Sequence, residues 1–159
     1  MPQDDSTIKT IQTRNDMLLP FVVEQLEAGH TATLPLRGRR MRPFLEDGRD
    51  KALLKIESHP KVGDAVLAEI SKGHFVLHRI IKIEDEQVTL RGDGNLNEEH
   101  CTLNDIRAKA IGFYRKGRNV LDTTESKKWR IYSWWWTHLY PIRRYLLFMI
   151  YPHIPQRFK

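Results

Sequence analysis

The apolar positions of this chain recur in two different rhythms. Leu18, Phe21, Val22 and Leu26 return at three- and four-residue spacing, which predicts a short helix from about Pro20 to Ala28 with one stripe on the body of the protein. Pro20 stands where a first helical turn tolerates a missing N–H, and Gly29 is placed as a stop. From Thr31 the rhythm shortens. Runs rich in β-branched and apolar residues predict strands at 31–34, 52–56, 64–70, 74–83, 87–91 and 108–115, separated by Gly-Asp, Lys-Gly or acidic turns. Strands at such regular intervals, with hardly any helical periodicity between them, predict a mainly β fold: one compact antiparallel domain, closed or half closed.

After Gly117 the pattern changes again. Residues 118–126 are polar and suit either a linker or a helix N-cap, and 127–159 is aromatic, basic and helical in character, with a break at Pro141. The organisation is therefore a flexible polar start over 1–13, a β-domain with its N-terminal helix over 14–117, a linker over 118–126 and an amphipathic segment over 127–159.

Composition sharpens this division. With 159 residues, 40% of them hydrophobic, the chain is long enough for one domain with a real core and too short for two. The net charge of +6 is not spread over it: residues 1–126 carry 19 Lys and Arg against 20 Asp and Glu, whereas 127–159 carry seven basic residues and no acidic one. A charge-balanced body offers no basic footprint, so nucleic acid is an unlikely partner. The first thirteen residues contain no apolar segment of the kind found in a signal peptide or anchor, and the single cysteine, Cys101, fits a reducing compartment. Seven scattered histidines without a second cysteine give no metal constellation, and there is no glycine-rich phosphate loop; no cofactor is expected.

Leu34 to Leu45 is the stretch on which a site would be built. Gly38 frees the backbone, and Pro43 fixes its own φ and biases Arg42 toward extended geometry, so the loop is shaped to present one side chain, Arg40. The order Gly38-x-x-Met41-x-Pro43-Phe44, Val62-Gly63-Asp64, His78-Arg79 and Arg91-Gly92-Asp93-Gly94-Asn95 resembles the superfamily of signal peptidases and LexA-like autoproteolytic repressors, in the form of a small bacterial homologue. The resemblance covers about Leu34 to Gly112. It implies the same β architecture, a serine just before the Met as nucleophile, and a Lys or His just before the later Arg as general base. Here those positions hold Arg40 and His78. It also implies an orienting acid downstream, for which Asp93 and Asp105 are the candidates, and a peptide site formed by Gly38, Met41, Pro43 and Arg79. Each candidate has a structural alternative: His78 as a core histidine, Asp93 as turn chemistry, and Ala28-Gly29 as a helix stop where LexA-like relatives have a cleavable Ala-Gly bond.

Arg40 cannot be a nucleophile, because its guanidinium is permanently protonated and offers donors only. Its charge beside His78 would also disfavour the imidazolium that general-base catalysis passes through. The reading that follows is a catalytically impaired peptidase homologue that binds an extended peptide or partner strand in the old cleft. An active peptidase would need a displaced hydroxyl (Ser58, Ser71, Thr31 or Thr33) or the thiol of Cys101 beside His78. Arg37, Arg39, Arg40 and Arg42 form a dense cluster that suits an anion, unless Glu46, Asp47 and Asp50 neutralise it.

The tail carries all four tryptophans, Trp129, Trp134, Trp135 and Trp136, with Arg143 and Arg144 beyond Pro141. Its longest apolar run is seven residues, far below the roughly 20 a spanning helix needs. Two readings compete: an interfacial anchor on anionic lipid through Trp134, Trp135, Trp136, Arg143 and Arg144, or a cover over an open face of the β-domain. The expected location is the cytoplasm, or the inner membrane surface as a peripheral protein.

Overall fold

The computed structural model describes residues 15–36, 45, 49–94, 97–115 and 120–150. The order of elements is α1 (Asn15–Glu27), β1 (Ala32–Pro35), β2 (Lys51–Lys55), β3 (Ala65–Ser71), β4 (His74–Glu84), β5 (Gln87–Arg91), β6 (Glu98–Thr102), a 3-10 turn (Leu103–Asp105), β7 (Ile106–Tyr114), β8 (Leu121–Thr123), α2 (Lys127–His138) and α3 (Tyr140–Ile150). The chain is mainly antiparallel β, with a short helix before the strands and two helices after them.

The six predicted strands form within a residue or two of their expected ends. Helix α1 begins earlier than predicted, at Asn15, so Pro20 sits inside it and not at its first turn. The cost of the missing hydrogen bond is limited because Pro20 faces solvent. The helix stops as expected: Gly29 takes φ +88°, its N–H donates to Leu26 O and that of His30 to Gln25 O, the paired bonds of a Schellman ending. Of the two readings for 118–126, the helix N-cap forms at Ser126, which accepts from Trp129 N–H, while Leu121–Thr123 adds a short strand, β8, against β7.

The sheet runs in the order β1-β2-β7-β3-β4-β5-β6, with β8 added beside β7. Register shifts at Leu53/Leu54, Leu67/Ala68, Glu69/Ser71 and Ile80/Lys82 mark bulges, which bend strands and raise their twist. Under that coiling β6 and the 3-10 turn come back beside β3. The sheet consequently buries both faces. One face, with Leu54, Ala65, Leu67, Ala108, Ala110 and Phe113, packs against Val22 and Leu26 of α1 and Trp129 of α2. The other, with Val66, Val76, Ile80, Val88, Leu90 and Cys101, lies inside the curl of β3 to β6.

Candidate functional site

Alternation along β4 decides everything that follows. His78 pairs with Val66 and Arg79 with Ala65, and Val66 and Ala65 belong to opposite cores. Two neighbouring polar residues are thus sent to opposite sides of one sheet, and both are buried: His78 is 0% and Arg79 1% exposed.

On the inner side of the curl, His78 Nδ1 lies 2.8 Å from Glu99 Oε2. Glu99 stands on β6 opposite Leu90, so it shares the face of Leu90, Ile80 and His78. The Glu99 carboxylate thus stands beside Nδ1, at ion-pair distance but without the aligned N–H···O geometry of a hydrogen bond, and Nε2 is the other ring nitrogen, the one a general base would use. Neither acid named from the sequence does this. Asp105 accepts from Thr102 N–H (2.8 Å) and Thr102 Oγ1 (3.0 Å), closing a capping box on the 3-10 turn. Asp93 belongs to the other face, where it binds Arg79.

That second cluster is a buried pillar between sheet and helix. Arg79 donates from Nε to Asp93 Oδ1 (2.8 Å) and from Nη2 to Asp93 Oδ2 (2.6 Å), and from Nη1 to Gly63 O (2.9 Å) and Ser133 Oγ (2.6 Å). Asp93 also accepts from Tyr132 Oη at 3.2 Å, and its carbonyl accepts from Trp136 Nε1 at 2.9 Å. The guanidinium lies 5.0 Å from the Trp129 ring centroid and 5.8 Å from that of Tyr132. Burial pulls the Arg79 guanidinium toward losing its proton, but Asp93 overrides this and raises it above its ordinary value. Arg79 is therefore a structural cation, and its hydrogen bonds to Asp93, Gly63 and Ser133 are made inside the protein.

The tail divides along the same logic. Trp129, Ser133, Trp136, Arg143 and Leu147 are buried, while Trp134 and Trp135 are exposed. Trp136 and Arg143, expected on a lipid or partner surface, are core residues: Arg143 donates from Nη2 to Trp136 O (2.6 Å) and lies over the rings of Trp136 and Tyr140. A cation on the last turn of α2 is well placed against its unpaired carbonyls, and burial, the largest influence, lowers the Arg143 pKa. Arg144 is on the exposed side.

Gly38, Arg40, Met41 and Pro43 lie outside the described residues. The flanking Leu36 and Leu45 are both buried in the first core, and Asp50 pairs with Arg49 at 2.7 Å. Cys101 is buried among Val88, Leu90 and Ile80, and burial pushes its thiol up to about 11, so it is a packed thiol and not a poised thiolate. Among the described residues no group of His, Cys, Asp and Glu is arranged to hold a metal, and no helix is long and apolar enough to cross a membrane.

Glu99 is the residue that sequence reasoning missed. Glu98-Glu99-His100 has no strand-like apolar content, yet each acid has a use: Glu98 pairs with Arg91 on one face and Glu99 meets His78 on the other. No family model matches the chain, and no curated protein matches it either.

Proposed function

We propose that this chain is a signal peptidase- and LexA-like domain that keeps the base of the peptidase dyad and has lost its nucleophile, and that it binds an extended peptide or partner strand. The observation that carries the reading is the approach of a half-buried Glu99 to a fully buried His78. A histidine at the position of the family base, 0% exposed and with a carboxylate 2.8 Å from its Nδ1, supports the reading of a base paired with an acid, whereas a packing residue could be apolar at no cost. Arg40, at the position of the family serine, offers no hydroxyl to activate. β1 supports the binding half of the reading: it is the edge of the sheet, pairs only with β2 among the described strands, and shortly precedes Arg40 in the sequence. An edge strand holds an extended peptide through main-chain hydrogen bonds, which need no nucleophile.

Labelling by a fluorophosphonate probe tests this on the natural chain, on Arg40→Ser and on Arg40→Ser with His78→Ala. The expected result is labelling of Arg40→Ser alone. Labelling of the natural chain that disappears with His78→Ala would show another hydroxyl to be the nucleophile, and a folded Arg40→Ser that stays unlabelled would remove the dyad from the reading.

A further inference from the structure

The outer faces of α2 and α3 carry apolar side chains that nothing among the described residues covers. Ile131, Trp134 and Trp135 on α2 are 55–58% exposed, and Ile142, Tyr145, Phe148 and Met149 on α3 are 48–72% exposed. Single exposed apolar residues are ordinary, but a set of seven on two consecutive helices marks a docking face. The inner stripe is already supplied by Trp129, Trp136 and Leu147, so packing on the sheet does not require the outer indoles. Trp134 and Trp135 are held edge to face at 5.1 Å, and Trp134 stacks on His138 at 4.2 Å.

Charge identifies the occupant. Lys127, Arg130, Ile131, Trp134 and Trp135 line an open cavity of about 440 Å³, so two cations and two indoles border one space. The first turn of α2 has no acidic residue, and none occurs anywhere in 127–159. A second copy of the chain seated on this face would set cation against cation, because a two-fold contact brings the same patch to itself. A lipid interface meets both halves at once: phosphates for the cations, and a boundary layer in which indole and phenol rings settle with their polar edges toward water.

We propose that this face docks on an anionic bilayer surface, with Lys127 and Arg130 receiving lipid phosphates while Trp134, Trp135 and the outer face of α3 enter the interface. This is independent of the fate of the peptidase site and involves neither His78 nor Arg40.

Vesicle co-sedimentation tests it on the full chain. The natural protein is expected to sediment with phosphatidylcholine vesicles containing phosphatidylglycerol, to stay in solution with phosphatidylcholine alone, and to dissociate as salt is raised. Lys127→Gln with Arg130→Gln should weaken binding on the order of 25-fold, each cation near an anionic surface contributing about fivefold. Trp134→Ala with Trp135→Ala should abolish most of the tryptophan quenching by brominated lipid, leaving the near-ultraviolet circular dichroism of the buried aromatics in place. Equal sedimentation with both vesicle types, no sedimentation, or binding untouched by either pair of substitutions overturns the proposal. So does tight binding of a single-stranded oligonucleotide that excludes vesicles, which would assign the indoles to base stacking.

Discussion

Asp93→Ala is the substitution whose outcome the structure specifies most fully. It removes both acceptors facing Arg79 Nε and Nη2 and the acceptor for Tyr132 Oη, and leaves a guanidinium 1% exposed beside two aromatic rings. The Trp136 bond survives because it is made to the main-chain carbonyl. Stripping one partner from a buried pair costs about 3–5 kcal/mol, mostly the penalty of the charge left behind. At about 2–4 °C per kcal/mol for a chain of this size, the midpoint of thermal unfolding should fall by roughly 6–20 °C. Urea denaturation followed by tryptophan fluorescence measures the same loss, since Trp129 and Trp136 border the pair. Arg79→Met with Asp93→Leu should recover most of it, as an apolar replacement of both partners leaves no charge buried. A cost for Asp93→Ala below about 1 kcal/mol, the scale of a solvated surface pair, would refute the claim that the pillar is buried.

Cys101 should resist iodoacetamide at neutral pH in the folded protein and react on unfolding. Its thiol is held up to about 11 against an ordinary 9.0, so this contribution to stability is complete below pH 9 and declines as pH rises from 9 to 11, where the unfolded thiol ionises and the folded one does not. Burial first, and Asp93 second, also raise the Tyr132 phenol, so a spectrophotometric titration should find one tyrosine that ionises only as the protein unfolds. Gly112→Ala would place a methyl 2.7 and 2.8 Å from Leu121 side-chain carbons and 3.1 Å from Asp122 O, prising β8 from β7; a loss of about 1–3 kcal/mol is expected in chemical denaturation, and none would show that β8 yields freely.

Much of the β-domain was legible because its central strands are apolar on both sides. β3, with Val66 and Leu67 in different cores, reads as a continuous run, and the Gly63 and Gly73 turns around it hold positive φ as glycine permits. β6 was not legible, because its polar residues are strand residues only in company with Arg91 and His78, which lie elsewhere in the sequence. β8 has three residues, too few for a period. The site was half legible: alternation along β4 puts His78 with Val76 and Ile80 and Arg79 with Phe75 and Leu77, a signal that argued for burial of both but named no partner. That partner, Asp93, lies in a Gly-Asp-Gly turn whose local chemistry already explains an aspartate.

The pillar has a bearing on modularity. Ser133, Tyr132 and Trp136 of α2 complete the coordination of an ion pair whose two members lie in the strand region, so the last fifth of the chain is not an interchangeable appendage. A fusion or truncation that ends the protein at Ser126 would leave that pair short of a hydroxyl, a phenol and an indole. Its failure would register as insolubility, and a screen for targeting signals would mistake the loss of a foundation for the loss of an address.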